Sequence, residues 1–248
     1  MSTTLTLPEA PRRNLWVLLT SLALLGFAAA LPALLPLLQA AAAKAHAALS
    51  LLVLAQGGQL AIVCGLAAWV GLVCAPRAGF DAPWLRALAG GTPLPRVPVA
   101  RAMLAGTLAT AATLVVLLAV RPWAPAELWA KAGGASSFWR GASSAFYGGV
   151  VEELLMRWAL LSALVLLFRR NFWVANVAAA LIFGFGHLPA AVAMGLSLGP
   201  GVLAHVLLGN LVAGLAFGWL YRRHGLEAAM IAHATADVWL HGVVPFLA

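Results

Sequence analysis

Charge is what this sequence has least of. Asp, Glu, Lys and Arg make up 9% of its 248 residues and apolar types 63%, whereas soluble domains carry roughly 25% and 45–50%. A water-soluble fold of this size is excluded, because part of its exterior would have to be polar. Acidic residues are scarcer still, seven in all, so any place where several stand together calls for a reason. The basic excess gives a net charge of +8, but the Lys and Arg residues occupy short turns between apolar runs. That pattern fits topology determinants and anionic headgroup contacts, not a nucleic-acid-binding face. Cysteine is limited to Cys64 and Cys74, ten positions apart. On a helix that is about 15 Å, too far for a disulfide. No CxxC is present to suggest a cysteine zinc site, and both read as small apolar side chains. No HExxH motif, internal repeat or second domain is evident.

What the chain has in abundance is apolar runs of spanning length, about 20 residues each. They are Leu15–Leu38, Ala48–Ala75, Val99–Val120, Ser143–Phe168, Phe172–Pro189, Gly201–Tyr221 and Leu226–Leu247. The first follows Arg12 and Arg13 as a signal peptide would, but it is longer than a signal core and is read as a retained helix. The expectation is an all-α polytopic transmembrane bundle of seven spans in one domain, 1–248. An eighth element would arise if Pro125–Trp139 lay along the interface. The insert Pro76–Pro98, rich in Pro, Gly and Arg, reads as a loop.

Seven spans can be tested against the positive-inside rule. With the N-terminus inside, the inner segments hold Arg12, Arg13, Arg77, Arg86, Arg96, Arg101, Arg169, Arg170, Arg222 and Arg223; the outer ones hold Lys44, Arg121, Lys131 and Arg140. Ten against four favours a cytoplasmic N-terminus and an external C-terminus.

Three acidic residues, Glu152, Glu153 and Asp237, and one basic residue, Arg157, fall well inside spans, away from their ends. Each costs about 2.5–3.5 kcal/mol near the bilayer centre, so such groups face partners or a wet cavity. Glu153 and Arg157 stand four apart and share a helical face as an ion pair. Glu152 is turned away, with Gly148 and Gly149 one turn earlier leaving space over its face. It is the carboxylate left for chemistry. Phe183 and His187 stand four apart in the next span, and Phe183 could wall a pocket. His233 and Asp237 share a face of the last span. Asn210, Gly214 and Gly218 form a small-residue stripe suited to close packing, with Asn210 a candidate for the border of the site. His46, His205, His224 and His241 are given no role.

The ordered set Glu152-Glu153-x-x-x-Arg157, Phe183-x-x-x-His187 and His233-x-x-x-Asp237 resembles the CPBP family. These are the CAAX-processing and bacteriocin-processing intramembrane proteases, also called Abi, whose pattern is EExxxR, FxxxH and Hxxx(N/D). The resemblance covers roughly 143–247, and 1–142 match only as additional hydrophobic spans and loops. It implies an intramembrane endopeptidase of the glutamic type. Glu152 with His187 would hold and deprotonate a water, and His233, oriented by Asp237, would donate to the oxyanion. Glu153 and Arg157 would keep their helix in register. Asp237 stands where eukaryotic prenyl-protein proteases usually carry Asn, which ranks prenyl substrates last, behind a peptide or protein cut near its membrane-embedded end.

A metal-free site is favoured. A zinc version would draw its ligands from Glu152, His187, His233 and Asp237. Outside the enzymes, a proton-coupled transporter could use the same groups, and a protease-like scaffold or immunity protein would act by binding alone. The expected partners are a membrane-embedded or membrane-anchored substrate and the bilayer itself, with no nucleic acid; the oligomeric state is open. The Ala/Leu/Trp-rich composition points to a bacterial inner membrane.

Overall fold

The computed structural model describes residues 11–126 and 138–244, with no strand among them. The chain folds into α1 (Arg12–Ala45), α2 (Leu49–Ala78), a short α3 (Pro83–Gly90) and α4 (Val99–Val120), which tightens into a 3₁₀ turn at Arg121–Trp123. One helix, α5, follows as consecutive pieces. Phe138–Phe146 and Ser162–Leu167 are α-helical, and Tyr147–Glu152 and Leu154–Leu161 between them are π-helical. Then come α6 (Phe172–Gly186), α7 (Leu188–Ala193), α8 (Pro200–His224) and α9 (Leu226–Asp237), the last winding on as a π-helix over Val238–Val243.

Five of these are long and apolar enough to cross a membrane: α1, α2, α4 with its 3₁₀ turn, α6 continued by α7, and α8. The two other runs expected to span are α5 and α9. Both carry the in-span charges, and both change from α to π winding part-way along. Pro125–Trp139, the candidate eighth element, lies largely outside the described residues.

Two boundaries depart from expectation. The insert Pro76–Pro98 is not all loop. Pro83 sits in the first turn of α3, where its fixed φ favours a helix start, and Leu85 and Ala87 are buried beneath it. A carboxylate of α9 secures that turn, since the Leu85 N–H donates to Glu227 Oε1 at 2.9 Å. The run Phe172–Pro189 breaks at His187, which closes α6 and opens α7.

The core explains how the site helix is held. Ala228, Ala229, Ala232 and Ala236 of α9 are almost wholly buried, and small residues let neighbouring backbones come close. Gly106 of α4 is tightest: a Cβ there would lie 2.3 Å from the Ala232 carbonyl oxygen. Gly149 of α5 approaches from another side, where a Cβ would meet that of Ala234 at 2.9 Å. Behind α5, Trp158 lies over Gly71 of α2 and donates to the Ala68 carbonyl at 3.2 Å. Cys64 and Cys74 are free, Cys64 fully buried.

Candidate active site

Two helices, α5 and α9, bring the charged residues together, and α6 and α8 pack around them. Glu153 and Arg157 of α5 form the expected pair, Arg157 Nη1 lying 3.2 Å from Glu153 Oε1. The guanidinium also donates to the Gly214 carbonyl of α8 at 3.3 Å and lies over the rings of Phe183 and Phe217, 5.2 and 5.5 Å from their centroids. A charge-assisted hydrogen bond and two aromatic faces thus stand in for the water it has lost.

Glu153 does more than neutralise Arg157. Its Oε1 also accepts from His233 Nδ1 at 2.7 Å. Asp237, expected to orient His233, takes no part in that hydrogen bond. Asp237 Oδ1 is 3.8 Å from the opposite nitrogen, Nε2, beyond hydrogen-bond reach. With Nδ1–H held by a carboxylate, the direction of the ring is set, and Nε2 is left for other work. The ring stacks on Phe217 (centroids 4.7 Å apart, planes at 25°) and meets Phe183 edge-on at 5.8 Å.

Glu152 faces that free nitrogen, its Oε2 lying 3.6 Å from His233 Nε2. Side-chain exposure rises across the cluster: Glu153 0%, Arg157 3%, His233 7%, Asp237 12% and Glu152 21%. The ion pair is therefore the sealed side, and access is over Glu152 and Asp237. Gly148 makes room for this arrangement, though not as expected. Its missing Cβ clears space for the neighbouring helix: a methyl there would lie 2.2 Å from Asp237 Oδ2 and 2.9 Å from His233 Nε2.

His187 is set apart. Its Nδ1 bonds to the Phe183 carbonyl of its own helix at 2.8 Å, and its ring meets Phe183 edge-on at 4.6 Å. Phe183 thus contacts both histidines. Among the described residues His187 makes no hydrogen bond or ion pair with Glu152 or His233. Nor do any three His, Cys, Asp or Glu side chains among the described residues form a group that could hold one metal ion. Of the four residues named for a zinc set, Glu152 and Asp237 lie near His233 Nε2, at 3.6 and 3.8 Å, and His187 stands apart.

Two contributors escaped the sequence reading. Phe217, one turn along α8 from Gly214, supports both His233 and Arg157, and nothing but that proximity in sequence could have singled it out. His241, one turn beyond Asp237 in the π segment, brings Nε2 to 3.9 Å from Asp237 Oδ1. The small-residue stripe packs as expected: Gly214 abuts Ala180 of α6, and Asn176 lies over Gly218 while donating to the Leu215 carbonyl at 3.0 Å. Asn210 donates within its own helix, to Val206 at 2.8 Å.

No curated protein and no solved structure matches the chain. One family model does, that of the type II CAAX prenyl endopeptidase, Rce1-like family, over residues 134–239. The matched segment contains all five charged-cluster residues together with Phe183, His187 and Phe217, and it supports an intramembrane endopeptidase at the level of the family. Residues 134–239 of this integral membrane protein are accordingly a domain of the CPBP, or Abi, family.

Proposed function

We propose that the chain is a glutamic-type intramembrane endopeptidase in which Glu152 is the general base and His233 the electrophilic partner. The observation that carries this reading is the division of labour at His233. Glu153 holds Nδ1 at 2.7 Å, while Nε2 faces Glu152 at 3.6 Å on the accessible side. A separation of 3.6 Å is too long for a direct hydrogen bond and leaves the two groups free to share a water or a substrate carbonyl.

Glu152 takes a proton from the water as its oxygen attacks the scissile carbonyl carbon. His233, as an imidazolium, donates from Nε2 to the oxyanion while Nδ1–H stays on Glu153. The tetrahedral intermediate then collapses, the C–N bond breaks, and the proton held by Glu152 passes to the leaving amine. Asp237 borders the entry and limits where the substrate backbone can lie. His187, set edge-on to Phe183, positions the substrate or its water from the next helix.

The reading is metal-free, with Glu152 and His233 as the pair that activates water and stabilises the oxyanion. We further propose that α5 and α9 span with the other five helices, making seven, with the N-terminus cytoplasmic and the C-terminus outside a bacterial inner membrane. The ten-to-four distribution of basic residues supports that orientation. The substrate is a protein or peptide cut near its membrane-embedded end.

The test compares protein termini by mass spectrometry in cells carrying the native chain or Glu152→Gln, at equal abundance by immunoblot. Termini that vanish only in the variant support catalysis and identify the substrates. Unchanged termini, with the variant still restoring a null phenotype, would replace this reading by a binding scaffold.

A further inference from the structure

Away from the site, the bundle carries most of its arginines at one end, and there α4 and α8 leave a groove between them. Its walls are Leu104, Ala105 and Leu108 on α4 and Trp219 and Leu220 on α8, and its volume is about 490 Å³. Arg101, Arg223 and His224 line the same groove. A second cavity of about 330 Å³ shares Arg223 and His224 and is lined as well by Arg96, Arg222 and Asp81. The groove thus sets a basic end beside an apolar wall.

Three features specify the occupant. First, the arginines are not neutralised internally. Among the described residues, the ion pair at this end joins Arg86 to Asp81, and no carboxylate pairs with Arg96, Arg101, Arg222 or Arg223. Arg222 and Arg223 instead rest on the faces of Phe172 and Trp219, 4.5 and 6.0 Å from the centroids, which leaves their N–H groups for an external anion. Second, Leu108 lies two turns below Arg101, about 10 Å deeper. That is the step from a headgroup to the upper part of an acyl chain. Third, Trp219 sits between these levels, as tryptophans do at membrane interfaces.

We infer that this groove is a binding site for an anionic phospholipid, its phosphate held by Arg101 and Arg223 and one acyl chain laid along Leu104, Leu108 and Trp219. Basic pockets between transmembrane helices are suited to such headgroups, and the paired charge and apolar surface fit neither a free anion nor a neutral lipid as well. The site adjoins the α8–α9 turn, so an occupant would brace the start of the helix that carries His233. The inference does not depend on the catalytic reading.

The experiment uses the full chain in nanodiscs of phosphatidylcholine with a minor fraction of phosphatidylglycerol, followed by native mass spectrometry of retained lipid. Wild type should retain phosphatidylglycerol preferentially. Arg101→Gln/Arg223→Gln should weaken that retention about thirty-fold, from the usual contribution of two basic groups near an anionic headgroup. Arg169→Gln/Arg170→Gln, with the same charge loss at the same end but outside the groove, should change it less than about threefold. Leu108→Trp, which fills the groove and keeps its charges, should also lose the lipid; it decides the matter if the arginine variant fails to fold. Equal retention of both lipids by wild type, equal loss in the two arginine variants, or full retention by Leu108→Trp would each overturn the inference.

Discussion

The interior and the arginine-rich end of this protein use charge in opposite ways. Inside, Glu153 and Arg157 are almost completely covered and each meets several named partners. At the end, Arg12, Arg13, Arg96 and Arg101 are exposed, and no carboxylate among the described residues pairs with them. Burial makes an isolated charge so costly that each interior group needs a counter-charge beside it. Water and headgroups solvate the outer charges, which can therefore act together without fixed geometry. A single substitution should consequently be felt sharply inside and weakly outside.

The largest effect is expected at Glu152. Glu152→Gln should lower peptide-bond hydrolysis by roughly a hundred- to ten-thousand-fold, the usual worth of a general base. Its melting temperature in detergent should stay near that of wild type, because Glu152 is the most exposed member of the cluster. A large stability loss would instead make Glu152 a structural charge like its neighbour. Next comes Arg157→Met, which leaves Glu153 buried without its cation and should destabilise the fold by about 3–5 kcal/mol, read as a fall in melting temperature and abundance. Adding Glu153→Gln should recover part of that loss; no recovery would mean that the pair is not the reason for it.

Packing changes beside the charges should rank below these. Gly106→Ala drives a methyl into the Ala232 carbonyl, a backbone atom that cannot step aside, and should cost about 1–3 kcal/mol. Gly148→Ala meets the tip of Asp237 and the edge of His233 instead. It should cost less stability but more activity, and thermal melts alongside cleavage assays would separate the two. The smallest effect belongs to the exposed end: Arg12→Gln or Arg13→Gln should stay within about 0.5 kcal/mol. A larger change would break the contrast between interior and rim.

Sequence and structure agree where periodicity decides the outcome. The Glu153–Arg157 pair is a matter of residues four apart on one helix, and it survives even though the intervening winding is π rather than α. The partner of His233 was not legible in the same way. The last helix offered Asp237 four residues away, whereas the carboxylate that bonds Nδ1 lies 80 positions earlier in the chain. Local spacing names the candidates on one helix, but it cannot say which candidate on another helix lies closer. Phe217 was missed for the same reason, since a phenylalanine in an apolar run has no distinguishing mark until His233 stacks on it.

By itself, the sequence determined that the chain is helical and embedded in a membrane, and which few residues are too costly there to be incidental. Those conclusions rest on transfer free energies and helical repeat, both of which are properties of composition and order along the chain. Only the tertiary structure decided that Glu153 holds His233, that Gly148 clears space for Asp237, and that His187 stands apart beside Phe183. The physical reason is the close packing of helices. Glycines at Gly106, Gly148 and Gly149 set how near α4, α5 and α9 approach, and an ångström at those contacts determines which carboxylate reaches which nitrogen.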